Sequence, residues 1–528
     1  MTRLAFAAVM VMCMLAPLPL DAQALPNINR PRLAYNTRKN RIKPQGDLKA
    51  QIDAIDRAID DAAKFGRIGE VRRLYTRGIV LLEGKAWTPE LDLTTSLALR
   101  SAQVVVDPDT PYTLRLEQIY APAIDLSDSL TAHVALHRGW GPPGGATRIL
   151  FPDPTGAFVR DLGTFQGVGR DLRAEPFVFD IDLQGVPNGR YQVAVALGMG
   201  AKNLAVTTLD IDVVSGLEES IRGLQASAAQ APKTVKADIL FPVDRLHNVN
   251  IGRLELLTFD PQAEFAAAHE VAEAARGGRD PFAGRTGDLK RHYLFESANE
   301  ILPYRLYLPK SYQPGKTSPL VVALHGNGDT EDKMLSPWDG SSVTLSSVAE
   351  QHGFVVVSPL GFRVDGSYGW GTHNAPTDFE TRRIQEYSEQ DVLEVVRRVR
   401  LDYSIDESRI YLLGHSMGAN GTWELAAKYP DMWAAIGVIA GQAVTNLGGR
   451  DAMPAALARM RSIPAFVVHG SADATAPVDE SRAIVQEMKR QGLEVQYVEV
   501  PDGTHQSVVA PSFPGILDFF AAHVKGRR

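Results

Sequence analysis

Residues 409–430 decide the fold of the chain's second half. Arg409-Ile410-Tyr411-Leu412-Leu413 reads as a short buried strand, Gly414-His415-Ser416-Met417-Gly418 fits G-x-S-x-G, and Asn420 to Lys428 reads as a helix stopped by Pro430. Alone, the five-residue pattern is weak. Between a strand and a helix it has a mechanical meaning: the serine is forced outward on a tight turn, and the flanking glycines let strand and helix approach without a Cβ clash. A glycine-rich turn with a capping serine is the bland reading of the same residues.

Outward from this turn the grammar is strand, loop, helix, repeated. Apolar runs recur at Pro319–Leu324, Phe354–Ser358, Ile410–Leu413, Ala435–Ala440, Ala465–Val468 and Val495–Val500, most of them separated by helical stretches. Continuous rather than alternating apolar runs are those of strands covered on both faces. The expected fold class is α/β, a doubly wound, mostly parallel sheet. Ser388 is expected to N-cap one helix, with Asp391 three residues on and Val392, Val395, Val396 and Val399 as its buried stripe.

A serine hydroxyl is a poor nucleophile at neutral pH, so it needs a base, and the base needs an acid to orient it. On such a sheet the order is Ser, then Asp or Glu, then His. Asp473 lies in the loop after the run Ala465–Val468, and His505 in the loop after Val495–Val500. Both stand just past the C-terminal end of a strand, where open α/β sheets carry their sites. Asp502 more naturally shapes the turn at Gly503, Asp479 stands at a helix start, and His523 sits in the C-terminal helix.

Acyl transfer develops negative charge on an oxygen, which calls for preorganised backbone donors. The N–H of Met417 is one expected donor. The other belongs to the loop His325-Gly326-Asn327-Gly328-Asp329, with Asn327 favoured. His325, His373, His415 and His469 show no H-E-x-x-H spacing, so no metal is expected, and no phosphate-binding glycine loop or other cofactor motif is present. His415 and His469 read as packing or supporting residues, with His415 also considered for the substrate pocket. Trp370, in the long Gly- and Trp-rich segment Gly361–Tyr387, would line that pocket or plug the core.

The chain has 528 residues, 45% of them hydrophobic and 22% charged, a globular balance long enough for several domains. With 55 basic against 62 acidic residues the net charge is −7, which argues against nucleic acid or an anionic membrane as partner. Arg3, the apolar stretch Leu4–Leu20 and Ala22-Gln23-Ala24 read as a cleaved secretory signal, implying export to the periplasm or beyond and no stable membrane insertion afterwards. Cys13, the single cysteine, lies inside it, so the mature chain would carry no disulfide.

The expected organisation is a signal peptide over 1–24, a helical region over 25–96, a β-sandwich accessory domain over 97–215, a helical connection over 216–284 and the catalytic domain over 285–528. Short alternating runs separated by Pro, Gly and Asp suggest the sandwich, and the strand Gly189–Val195 with Tyr191 resembles one from an immunoglobulin-like module.

Over its last 240 or so residues the chain resembles the α/β-hydrolase superfamily. It is similar to secreted esterases of the phospholipase/carboxylesterase, feruloyl esterase and polyhydroxybutyrate depolymerase-like groups, and to the catalytic domain of prolyl oligopeptidase-type peptidases. The stretch Leu324–Thr330 resembles the carboxylesterase oxyanion loop, and Tyr403 to Ala440 is similar to both groups. The resemblance implies Ser416 as nucleophile, Asp473 and His505 as its partners, and Asn327 and Met417 as oxyanion donors. Ala419, where many relatives carry another glycine, and Asn327, where a glycine or apolar residue is more usual, are departures that bear on substrate detail. The implied activity is hydrolysis of a carboxylic ester of small-molecule or polymer origin. A serine peptidase using the same residues is the alternative, weakened by the lack of a propeller pattern. A binding module with an inert hydrolase domain is the third reading.

Overall fold

The structure is a computed structural model that describes residues 28–126, 130–139, 156–200, 202–254, 256–369 and 379–526. The expected signal segment with Cys13, and both Trp370 and His373, lie outside the described residues. The chain divides into two compact units, one reaching to Ala229 and including Pro242–Glu270, the other comprising Gln230–Phe241 and Val271 onward. Among the described residues, no helix is long and apolar enough to cross a membrane.

The first unit begins with helices Asn29–Ile42, Gly46–Lys64, Ile68–Leu82 and Pro89–Ser96. Ile52, Ile55, Ile59 and Ala62, at three- and four-residue spacing, meet Val71, Leu74 and Ile79 in one apolar cluster. Thr88 caps the fourth helix by accepting from Leu91 N–H, with Pro89 at its first position. Eight strands follow: β1 (Leu97–Arg100), β2 (Val105–Val106), β3 (Tyr112–Gln118), β4 (Leu130–Arg138), β5 (Phe158–Val168), β6 (Phe177–Ile181), β7 (Gly189–Met199) and β8 (Lys202–Val213). They form two sheets, ordered β1-β3-β6 and β2-β8-β7-β4-β5. Leu114, Leu116 and Phe179 of one sheet share a core with Val134, Leu136, Val193 and Val195 of the other. Inward residues alternate along β3, as a half-buried strand requires. Tyr191, fully buried, donates its O–H to the Pro187 carbonyl at 2.8 Å, closing a turn four residues upstream. Helices Leu217–Gln230, Lys236–Asn250 and Pro261–Ala274 come next. The second was hidden in the sequence by Pro242, which reads as a helix breaker.

The second unit carries an eight-stranded sheet built from β9 (Gly287–Phe295), β10 (Glu300–Leu308), β11 (Ser318–Leu324), β12 (Val355–Pro359), β13 (Ile405–His415), β14 (Ala435–Ile439), β15 (Ala465–Gly470) and β16 (Val495–Val500). The order is β16-β15-β14-β13-β11-β12-β10-β9. Strands β11 to β16 are parallel throughout, whereas β9 and β10 form an antiparallel hairpin joined to β12. The sheet is therefore mixed, and it was the hairpin that the run of apolar segments missed. Its charged residues are individually paired, as Arg305 is with Asp288, so the strands do not read as apolar runs. Every residue of β12 and β14 is buried. One face is closed by Leu345 and Val348 and by Phe513, Ile516 and Phe520, which pack on Val321, Tyr411 and Phe466 in a single cluster.

One helix boundary differs from expectation. Ser388 does not cap; the helix runs from Phe379 to Asp402 and Ser388 sits well inside it. The polar stretch Glu380–Glu386 consists largely of good helix formers and extends the helix upstream. The Ser388 and Asp391 side chains face inward and bond to the loop after β12 instead. Chain order places β12 on one side of β11 and β13 on the other. That reversal makes a crevice past the carboxyl ends of the strands, the usual place for a ligand on such a sheet.

Candidate active site

Ser416 follows the last residue of β13 directly and precedes the helix Met417–Lys428. Its backbone is at φ 55° and ψ −117°, a conformation a side-chain-bearing residue adopts only when its surroundings impose it. The glycines show why. A Cβ on Gly414 would stand 2.1 Å from the Gly418 carbonyl oxygen, and one on Gly418 would stand 2.1 Å from the Leu324 carbonyl oxygen. Ser416 N–H is tied to the Ile439 carbonyl of β14 at 3.0 Å. The turn is clamped between neighbouring strands, and the hydroxyl projects from its apex.

The loops after β15 and β16 are joined just as closely. A Cβ on Gly470 would meet the Gly503 carbonyl oxygen at 2.1 Å, and that same carbonyl accepts from Ala472 N–H at 3.0 Å. Asp502 takes φ 55° at the turn and donates its N–H to Ser471 Oγ at 2.9 Å. This lacing brings Asp473 and His505 together. His505 Nδ1 lies 2.7 Å from Asp473 Oδ2, and His505 Nε2 lies 2.8 Å from Ser416 Oγ. A carboxylate only accepts, so Nδ1 carries the proton and Nε2 presents a lone pair to the serine hydroxyl. The sequence places Ser416, Asp473 and His505 far apart; the fold brings all three into one hydrogen-bonded line.

The Asp473 side chain is buried and saturated with donors. Thr475 and Ala476 N–H bond to Oδ1 at 2.8 and 2.9 Å, and His469 Nε2 approaches Oδ2 at 3.2 Å while also bonding to the Ala476 carbonyl at 2.9 Å. Burial pushes the carboxyl up, but the bonds from His469, His505 and Ala476 outweigh it and hold it well below the usual carboxylate range. His469 Nε2 faces the Ala476 carbonyl and the Asp473 carboxylate, which only accept, so Nε2 carries the proton, and Ser481 Oγ lies 2.7 Å from Nδ1. Nothing in the local sequence marked Ser481, which sits in the helix Val478–Arg490 beyond the loop.

His415 is 1% exposed, and its ring packs against Trp338 and His505. It stands behind the candidate base rather than in an open pocket wall, because a strand residue preceding the turn points into the core. Trp370, the other residue considered for the pocket, lies outside the described residues.

The loop after β11 runs beside the serine. A Cβ on Gly326 would sit 3.5 Å from Ser416 Cβ and 3.3 Å from His415 Nδ1, so the backbone passes within contact of the turn. Asn327 is the exposed residue that follows. Met417 is the first residue of its helix, where amides lack intrahelical acceptors and face outward with the positive end of the helix dipole. Gly326 belongs to the glycine-containing loop expected to supply the second donor, and its lack of a side chain is what permits this approach.

Residues 296–507 match the family model described as Esterase, putative esterase. The bifunctional acetylxylan esterase/xylanase of Neocallimastix patriciarum is 27% identical over 168 residues, covering 32% of this chain and 21% of that protein. Poly(3-hydroxyalkanoate) depolymerase C of Paucimonas lemoignei is 33% identical over 127 residues, 24% of this chain and 28% of its own. Feruloyl esterase B of Neurospora crassa is 30% identical over 147 residues, 26% of this chain and 45% of its own. The chain thus spans less than half the length of each of these relatives. Among solved structures, a ferulic acid esterase of Anaeromyces mucronatus aligns with a TM-score of 0.36 at 19% identity, over 46% of this chain and 92% of that one. A thermostable esterase aligns with a TM-score of 0.37 at 17% identity, over 81% of this chain and 99% of that one. By its motifs and by the family model alike, the chain resembles the α/β-hydrolase-type esterases.

Proposed function

We propose that the protein hydrolyses carboxylic esters through an acyl-enzyme intermediate on Ser416. The observation that carries this reading is the line of contacts Ser416 Oγ to His505 Nε2 at 2.8 Å and His505 Nδ1 to Asp473 Oδ2 at 2.7 Å. Ser416 Oγ attacks the ester carbonyl carbon as His505 Nε2 takes its proton. The resulting imidazolium is steadied by the Asp473 carboxylate. Negative charge on the former carbonyl oxygen is met by the N–H groups of Met417 and Asn327. His505 then gives the proton to the departing alkoxide, the alcohol leaves, and a water deprotonated by His505 attacks the acyl-enzyme to release the acid and restore Ser416.

The substrate is an ester of small-molecule or polymer origin, a class supported by relatives named as feruloyl and acetylxylan esterases and as a polyhydroxyalkanoate depolymerase. No cofactor enters these steps. Export is supported by the signal-like segment 1–24.

The test is the initial rate on p-nitrophenyl esters from acetyl to long acyl, for the wild-type protein and Ser416→Ala. Turnover should fall by at least about 1,000-fold in the variant, and the chain-length optimum should size the acyl pocket. Equal rates in the two proteins would remove Ser416 from this role.

A further inference from the structure

Between β12 and the helix Phe379–Asp402 the backbone is held in an unusual form. Phe362, Ser367 and Tyr368 have φ of 61°, 63° and 59°. Residues with a Cβ, and bulky ones above all, keep such angles only where surrounding contacts over-determine them. Those contacts come from one face of the helix. Phe362 N–H donates to Asp391 Oδ2 at 2.8 Å, and Tyr368 N–H donates to Ser388 Oγ, one turn earlier, at 2.9 Å. Gly361 N–H also bonds to the Asp391 carboxyl, and Tyr293 O–H from β9 donates to Oδ1 at 2.5 Å.

Asp391 is fully buried. Burial raises its pKa to about 6 against the pull of Tyr293, Phe362 and Gly361, and Glu331 adds repulsion. A buried carboxyl is a costly way to fill a core. What it supplies is acceptor capacity for several donors at once, which no neutral side chain of its size offers.

The other side of this turn grips the loop after β11. The Leu360 carbonyl lies 2.7 Å from His325 Nε2, the Val364 carbonyl accepts from Gly328 N–H at 2.8 Å, and Tyr368 O–H donates to the His325 carbonyl at 3.3 Å. His325 and Gly328 flank Gly326 and Asn327, the stretch nearest Ser416. The turn therefore connects the Asp391 carboxyl to both ends of that stretch.

We propose that Asp391 is a positioning residue for ester hydrolysis, holding the 361–368 turn so that the His325–Gly328 loop keeps the Asn327 amide aimed at the developing oxyanion. This rests on the roles given above to Ser416 and Asn327. Asp391 touches no reacting atom, so its effect falls on the transition state and not on substrate binding.

The test compares Asp391→Asn and Tyr293→Phe with wild type. Asparagine keeps the size and one acceptor oxygen but turns a donor toward Phe362 or Tyr293. Competent sites are counted by fluorophosphonate titration, and kcat and KM are taken per titrated site. Affinity for a trifluoromethyl ketone and hydrogen exchange of peptides 324–330 and 360–368 complete the set. In Asp391→Asn, kcat should fall about 10- to 100-fold with KM within about twofold, ketone affinity should fall by the same factor, and exchange should rise in both peptides. Tyr293→Phe should lose less. Unchanged kcat per titrated site overturns the proposal, including the case where only the number of titratable sites drops. Ester rates that survive Ser416→Ala would defeat the site reading itself, whereas a normal Asp391→Asn beside an inactive Ser416→Ala defeats only this proposal.

Discussion

The rings of His415 and His505 lie 4.8 Å apart, and His415 Nε2 hydrogen-bonds to the His505 carbonyl oxygen at 3.0 Å. A carbonyl only accepts, so Nε2 carries the proton and Nδ1 is bare. Among the described residues that Nδ1 has no hydrogen-bond partner. The residue preceding the candidate nucleophile therefore braces the backbone of the candidate base. Burial, with the nearby His505 adding to it, pushes its pKa down to about 3.

This has a stability consequence. In the unfolded chain a histidine titrates near about 6.5, so between pH 3 and 6.5 the unfolded state binds more protons than the fold at His415. Stability should be full above pH 6.5 and fall as pH drops toward 3, by up to about 1.4 kcal/mol per pH unit from this group. Asp473 acts with the same sign lower down: its folded pKa is depressed, so its contribution is present above about pH 3.9 and is lost as pH falls below that. Urea unfolding of wild type and His415→Gln at pH 7.5, 6 and 5 checks this. The variant should show the flatter dependence, and identical slopes would refute the assignment.

Asp473→Asn should keep the fold and lose activity. An asparagine amide can donate to His505 Nδ1, which moves the ring proton to Nε2 and leaves no lone pair facing Ser416. A loss in kcat of about 10,000-fold is expected. Steady-state rates beside an unchanged circular dichroism spectrum make the measurement.

His469 should matter through Asp473. His469→Phe removes the donor at 3.2 Å from Asp473 Oδ2, and kcat should fall about tenfold. Ser481→Ala removes only the hydroxyl beside Nδ1 and leaves Nε2–H held by the Ala476 carbonyl, so it should lose less. A larger loss in Ser481→Ala than in His469→Phe would contradict the chain of contacts.

Two glycines should respond oppositely to alanine. In Gly418→Ala the new methyl meets the Leu324 carbonyl oxygen at 2.1 Å, backbone against backbone, and a destabilisation above about 3 kcal/mol is expected. Gly223 lies exposed in the helix Leu217–Gln230, where a Cβ would have only His269 Cε1 within 4 Å, at 3.9 Å. Gly223→Ala should gain about 0.5–1 kcal/mol. Thermal melts of both variants decide it.

What the sequence makes legible is local. Gly414, Ser416 and Gly418 state the turn by their spacing, because strand, turn and helix follow one another directly along the chain. The apolar runs of β11 to β15 announce a sheet covered on both faces, whereas the run at β16 forms an edge strand with no residue buried. The β9–β10 hairpin was not legible, since its charges are paired only once the chain is folded. Ser388 and Asp391 looked like a helix start because a serine followed three residues later by an acid is a capping pattern. Their partners proved to be the amides of Tyr368 and Phe362, more than 15 residues upstream, which no local pattern reveals.

By itself, then, the sequence determined the chemistry available and its order along the chain: a serine on a glycine-flanked turn, then an aspartate, then a histidine, each past a strand. Only the tertiary structure decided that they meet. Ser416 and His505 are 89 residues apart, and Asp473 and His505 are 32 apart. Their distances are set by parallel β13 to β16 ending on one edge and by Gly470 allowing two loops to touch. The same holds for the support behind the site. His415 and His469 read as supporting residues from the sequence, but what they support, like the role of Asp391, depends on the partners that folding brings to a buried polar group.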